Sequence, residues 1–319
     1  MILGINDTHD SSVCLVKNGK LIEAVLEERI TRKKNISSLP VKSIRYLINK
    51  YNLNYKNIDA VAVANNKVHH MNLWNVHSDF SIYDWQKLEN EYYYPMIFKK
   101  KKIKLKKIFK NYKPKVKLGY PIKNIPFISS DEATKKDYDL IQNIRINTIS
   151  KILKVDKKII HFYDHHTCHA FYGYYSNPNR MKKVVVVTAD GGGDGIYNTV
   201  NLFIKGKYIP INRSNKNWIG KIYESVTQIL GLNPFRHCYK VMGLAPYSNT
   251  EKHRDVLRFF LNCLKVKALD FKVNPKIKDR YFYFKENLEK YRFDNIAGAL
   301  QEFTEIRIVE WFNNIYKKF

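Results

Sequence analysis

The segment KVVVVTAD (183–190) leaves this chain the least freedom. Four consecutive valines have no polar face to offer water, and their β-branched side chains favour extended backbone, so the run must be a buried strand. The residues GGGDG break it, and IYNTVNLFIKGKYIPI then reads as a hairpin turning at Lys205-Gly206-Lys207. Asp190 closes the apolar strand, where α/β folds place functional carboxylates. Gly191 to Gly193 let backbone approach a phosphate or substrate closely. The plainer reading of DGGGD is a tight turn between strands, and both can hold together.

The first thirty residues read as a strand meander: MILGI, SSVCLV, the turn Lys17-Asn18-Gly19, then LIEAVLEER. Asn-Gly between two strand-like runs is a strong hairpin signal. Pro40 precedes VKSIRYLINKY, which has helical spacing at Ile44, Leu47 and Ile48, and IDAVAVA (58–64) reads as a buried strand. Three strands, a helix and a strand match one half of an actin/hexokinase/Hsp70-type (ASKHA) α/β fold. The start at residue 183 repeats the strand-turn-strand opening, so the expectation is two pseudo-repeated subdomains, the second incomplete. The first spans 1–155, with a basic and aromatic insertion or lid at about 66–135. The second, 156–319, holds the metal-binding segment. ATKKDYDLIQNIRINTISKIL (133–153) and the segment Ile296 to Phe319 read as helices.

A net charge of +27 invites nucleic acid as a partner. Heavy use of Lys, Asn, Ile and Tyr throughout favours compositional drift instead, because a dedicated binder concentrates its charge. One concentration exists, Lys99 to Lys107, read as the solvated face of a surface helix or hairpin whose Ile103, Leu105 and Ile108 turn inward. None of the four cysteines forms a CxxC pair. No basic and apolar leader opens the chain and no apolar run of about 18 residues occurs, so no membrane span and a cytoplasmic location are expected.

In DHHTCHAFYGYY, His165 and His169 stand four apart, which on a helix puts two imidazoles on one face a turn apart. Such a pair can share a divalent metal, with Asp190 as third ligand. The alternative is a pair of capping or core histidines. His166 points elsewhere and orients rather than ligates, and Asp164 is placed to cap the helix. No Glu follows the first histidine, so this is not the zinc-peptidase HExxH. His9, in the polar turn HDSS (9–12), is a candidate general base. EERITRKK (27–34) clusters Arg29, Arg32, Lys33 and Lys34 where an anionic donor would bind. KVMGLAP (240–246) reads as a compact glycine-containing turn with one inward-capable lysine.

Taken in order, ILGINDTHDSSVCLVKNGKLIEAVLEERITRKK, DHHTCHAFYGYYSNP, VVVVTADGGGDG, YESVTQILGL, KVMGLAPY and IAGALQEFTE resemble the NodU/CmcH carbamoyltransferase family. The resemblance implies an ASKHA-type domain that passes a carbamoyl group from carbamoyladenylate to a hydroxyl of a small-molecule or sugar acceptor. Carbamoyladenylate is made from carbamoyl phosphate and ATP by a C-terminal YrdC-like domain. It further implies a divalent metal of the iron type, Fe(II), on the HxxxH pair and two aspartates, here His165, His169 and Asp190. His9 matches the histidine at the transfer site and Lys34 the lysine near the carbamoyladenylate. Asp7 and Glu224 match acceptor contacts, and Asp190 adjoins the same substrate region.

The Gly-Gly nucleotide loop, the second metal aspartate and the YrdC-like domain do not occur in these 319 residues. The expectation is therefore a fragment, a split protein with a complementing C-terminal chain, or a decayed copy. An inert metal-binding remnant and a tRNA-carbamoylating relative are the alternative readings. Against the second, HDSS and EERITRKK resemble the small-molecule branch.

Overall fold

In the computed structural model, residues 1–74, 76–113, 119–180 and 182–319 are described. Asn75 and 114–118, in the expected insertion, and Met181 lie outside the described residues. The chain divides into two compact units, residues 1–80 with 101–168 and residues 81–100 with 169–319.

The first unit is built on a five-stranded mixed sheet of order β3-β2-β1-β4-β5, from β1 (Ile2–Asn6), β2 (Ser12–Lys17), β3 (Lys20–Leu26), β4 (Ala60–Ala64) and β5 (Ile160–Tyr163). The first three strands form the expected antiparallel meander. Asn18 and Gly19 both take positive φ, 51° and 72°, as a two-residue type I′ hairpin requires. β4 lies parallel to β1, and β5 parallel to β4. Parallel neighbours need crossovers, and the helices Val41–Tyr51 and Lys135–Leu153 lie within those connections. Alternate residues Leu3, Ile5, Val13, Leu15, Val61 and Val63 point into one core with Ile44 and Leu47 of the first helix and Ile141 and Ile149 of the second. Val68, Leu73, Tyr120 and Ile125, from the segment 66–135, join it.

The second unit contains the antiparallel sheet β6 (Val184–Gly193), β7 (Ile196–Ile204), β8 (Lys207–Ser214) and the hairpin β9 (Leu264–Lys267), β10 (Asp270–Val273). Helix Ile219–Ile229 and the long helix Phe293–Lys318 supply Ile222, Val226, Leu300, Phe303 and Trp311 to a core shared with Val200, Phe260 and Phe271. Trp311 also donates its indole N–H to the carbonyl of Leu269 at 2.8 Å, tying the long helix to the β9–β10 hairpin.

Four local expectations change. β6 continues through the glycines to Gly193, and the turn into β7 is Asp194-Gly195. The β7–β8 turn is Lys205-Gly206 alone, with Lys207 already paired to Ile204. KVMGLAP is helical, not a turn: Cys238–Leu244 is an α-helix, Ala245–Tyr247 a 3-10 turn, and Lys240 is exposed. The lysine run forms neither one surface helix nor a hairpin: Lys99 ends the helix Tyr94–Lys99, residues 101–104 have no regular structure, and Leu105–Ile108 is a single helical turn. Its lysines are exposed while Leu105 is buried, as the inward-turning apolar positions require.

Candidate metal centre

The segment DHHTCHAFYGYY forms the helix His165–Ser176. Asp164 caps it as expected, accepting from the Thr167 backbone N–H at 2.9 Å and from the Thr167 hydroxyl at 3.0 Å. The helix is continuous, so its own pitch sets the spacing of His165 and His169. His166 is fully buried, in edge contact with the His165 ring.

Packing within the second unit fixes the height of His169. Ala170 and Tyr174 lie on Val186 and Phe203, with the Tyr174 and Phe203 rings stacked at 4.2 Å. Gly173 permits this approach, since a Cβ there would stand 3.0 Å from Val186. At the end of β6 the ladder shifts register between Ala189 and Gly193, so Asp190, Gly191 and Gly192 bulge out of it. Asp190 Oδ1 accepts from the Gly192 N–H at 3.3 Å, and its Oδ2 lies 3.3 Å from His169 Nε2. The helix Ile219–Ile229 starts against this bulge. A Cβ on Gly220 would come within 3.1 Å of Gly191 Cα, and a Cβ on Gly191 within 3.2 Å of Glu224 Oε1. Glu224 is therefore beside the Asp190 bulge, in an ion pair with Lys221 at 2.8 Å.

One ligand atom each from His165, His169 and Asp190 lie within 4.8 Å of one another. Donors held at about 2.1 Å around a tetrahedral ion stand roughly 3.4 Å apart. The 3.3 Å between His169 and Asp190 matches that edge. Two imidazoles and a carboxylate suit a borderline divalent cation, and His169 is half exposed, which leaves room for further ligands. The residues thus fit a divalent metal.

The remaining predicted residues lie in the first unit. The HDSS turn is stitched to the segment after the cation cluster: Ser11 N–H donates to Ile36 O at 3.0 Å, Glu27 N–H donates to Ser11 O at 2.9 Å, and His9 bridges Ser37. His9 is part-exposed with Nδ1 3.7 Å from Asp10, and Lys34 is exposed two residues before Ile36. Asp7 is fully buried. Arg145 grips both its oxygens, Nε at 2.7 Å and Nη2 at 2.9 Å, and Tyr120 donates to it at 2.6 Å. An acceptor contact at Asp7 would require exchange of these partners. Burial, then the adjacent carboxylate, pushes the Tyr120 hydroxyl well above its ordinary range.

Two buried charged residues escape motif reading. Glu27 is buried and caps the helix Val41–Tyr51, accepting from the Lys42 and Ser43 N–H groups at 3.1 and 2.8 Å. Arg145 replaces an apolar residue in the buried stripe Ile141, Arg145, Ile149, Leu153. A cation on that stripe is itself a signal for a buried acid partner.

The chain matches the family described as Carbamoyltransferase N-terminus over residues 1–319, and it belongs to the carbamoyltransferase family. It is 27% identical over 351 residues to the uncharacterized protein MJ1058 of Methanocaldococcus jannaschii, covering 100% of this chain and 54% of that one. It is 24% identical to MJ1051 of the same organism, over 99% of this chain and 48% of the relative. To the nodulation protein NolNO of Sinorhizobium fredii it is 24% identical over 258 residues, 80% of this chain and 30% of that protein. The chain thus spans about half or less of the length of these relatives. Among the described residues, no helix is long and apolar enough to cross a membrane.

Proposed function

We propose that this chain is the acceptor-side part of an O-carbamoyltransferase, moving a carbamoyl group from carbamoyladenylate to a hydroxyl of a small-molecule or sugar acceptor. The observation that carries the reading is the family match over the whole chain, joined to the His165, His169, Asp190 triad. The sheet order β3-β2-β1-β4-β5, followed by a second three-stranded meander, supports an ASKHA-type fold with two related subdomains. The relatives' greater length supports a need for further polypeptide, where carbamoyl phosphate and ATP would be joined.

In the proposed reaction the acceptor oxygen attacks the carbamoyl carbon, a new O–C bond forms, and the bond to the adenylate phosphate breaks to release AMP. A hydroxyl must lose its proton as it attacks, and part-exposed His9 would take that proton on its ring nitrogen. Lys34 would hold the anionic leaving group by charge. Glu224 and Asp190, beside the Gly191 bulge, would accept hydrogen bonds from a polyhydroxylated acceptor, and Asp7 is proposed as a further acceptor contact. His165, His169 and Asp190 would hold a divalent metal, proposed as Fe(II), which when bound supplies Lewis-acid stabilisation of developing negative charge.

The test incubates the chain with a complementing C-terminal polypeptide, carbamoyl phosphate, ATP and a panel of sugars. AMP release that depends on an acceptor, and disappears in His9→Ala, is expected. No AMP with any complementing half sinks the reading.

A further inference from the structure

We infer that Asn65 is a positioning residue, which holds His165 in the tautomer that presents Nε2 to a metal, and that Asn6 and Thr8 set its direction. The inference rests on the metal reading above. It concerns residues given no role by the motifs: Asn65 just after β4, Asn6 at the end of β1 and Thr8 in the loop that follows.

The direction of each bond follows from the one before it. The Asn6 side-chain NH₂ faces two backbone carbonyls, Asp10 O at 3.1 Å and His9 O at 3.3 Å. Carbonyls only accept, so this end of the amide must be Nδ2 and the other must be Oδ1. Oδ1 in turn receives the Thr8 backbone N–H at 3.2 Å, which confirms its polarity. The Thr8 hydroxyl lies 2.8 Å from that oxygen and therefore donates its single proton to it. Its lone pairs are left to accept, and Asn65 Nδ2 donates to them at 3.0 Å.

With Nδ2 donating to Thr8 and, at 3.5 Å, to Asn6 Oδ1, Asn65 turns its own Oδ1 toward His165, where it lies 2.6 Å from Nδ1. An amide oxygen cannot donate, so Nδ1 carries the hydrogen. In a neutral imidazole the lone pair then resides on Nε2. A metal-bound histidine whose other nitrogen donates to an oxygen acceptor is the usual arrangement, and it also fixes the ring's rotation.

Asn65 is held firmly enough to do this. Its side chain is buried, its backbone takes a left-handed φ of 71°, and its carbonyl accepts from Arg145 Nη2 at 2.9 Å. The relay therefore begins at two main-chain carbonyls of the HDSS turn and ends at a ligand of the triad. The turn that carries His9 and the imidazole of His165 share one hydrogen-bonded chain.

The test uses the full chain with Co(II) alone as the probe, together with ¹⁵N NMR of the metal-free histidines. Wild type should show His165 protonated on Nδ1. Asn65→Leu should mix the tautomers and weaken Co(II) binding by about 10–100-fold, the usual effect of losing such a partner. Asn65→Asp keeps an acceptor at Nδ1 and should bind within a few-fold of wild type. Thr8→Val leaves Asn65 in place but removes the hydroxyl that orients it, and should give a mixed tautomer with an intermediate affinity. A wild-type His165 protonated on Nε2 overturns the inference, as does an Asn65→Leu protein that binds Co(II) like wild type. If wild type binds no Co(II) yet shows the Nδ1–H tautomer, lost in Asn65→Leu, the relay stands and the metal reading falls. Should Asn65→Leu fail to fold, the Thr8→Val tautomer decides.

Discussion

Replacing Arg145 with methionine removes the cation at the centre of the first unit while keeping much of its apolar bulk. Neither Arg145 nor Asp7 is exposed at all. The guanidinium makes two charged hydrogen bonds to Asp7 and donates to the carbonyls of Ala64, Asn65 and Asn66 at 3.3, 2.9 and 3.3 Å. It also lies 4.4 Å from the centre of the Phe162 ring. In Arg145→Met, Asp7 keeps Tyr120 but loses its only charged partner among the described residues. Breaking a buried pair from one side costs about 3–5 kcal/mol. At 1.36 kcal/mol per decade, that lowers the folded-to-unfolded ratio by roughly a hundred- to several-thousand-fold. Urea unfolding followed by circular dichroism measures it. The double variant Asp7→Leu/Arg145→Met should lose much less than the sum of the singles, with a coupling of about 2 kcal/mol or more, because no charge is stranded. Hydrogen exchange should rise locally around Ala64 to Asn66 in the single variant. A single variant that loses less than about 1 kcal/mol, or strictly additive singles, would refute the reasoning.

Three further outcomes follow from other groups. Glu89, on the π-helical turn Leu88–Tyr93, is pushed up to about 8 by burial and then by Asp279. Between its ordinary value and about 8 the folded state holds a proton that the unfolded chain releases, so stability falls as pH rises through that window. Glu89→Gln should flatten the decline of melting temperature from pH 5 to 9, and an unchanged slope counts against the assignment. His69 is pulled down to about 4, by burial and then by His70, and its Nδ1 accepts from the Met71 N–H at 3.1 Å. Its contribution is present above about pH 6.5 and is lost as pH falls toward 4. His69→Asn should therefore lose less stability than wild type over that acid range in the same melting series. Gly220→Ala puts a methyl 3.1 Å from Gly191 Cα, and backbone cannot swing aside. A loss of about 1–3 kcal/mol is expected, with weaker Co(II) binding, while an unperturbed melting curve would contradict the close approach.

Local chemistry made much of the fold legible. Asn18-Gly19 specifies its own turn, the four valines specify a strand, although only Val186 of them is buried, and HxxxH specifies a helix face. What stayed hidden is held by long-range partners. Residues 82–99 form short helical pieces that gain their shape from burying Trp85, Leu88 and Tyr92. Trp85, for instance, stacks on Phe235 at 5.1 Å, a pairing that no local period announces. KVMGLAP misleads because Gly243 sits within a helix, where neighbouring contacts outweigh its weak propensity. At the site, Asp190 and the histidines carry recognisable spacing, but Asn6, Thr8 and Asn65 are ordinary polar residues until the sheet sets β1 beside β4.

The parallel pairing of β4 with β5 has a consequence in time. Val61 pairs with Ile160, so two neighbouring strands of one small sheet are some hundred residues apart along the chain. At 5–20 residues per second, a ribosome makes β5 roughly 5–20 s after β4. The hairpins of β1 to β3 can close within microseconds. For most of the interval, β4 is a short apolar strand with one side paired at best and the other edge bare. A sheet in that state can recruit a strand from another nascent chain. The yield of this protein during synthesis should therefore depend more on how long β4 waits than on how stable the finished sheet becomes.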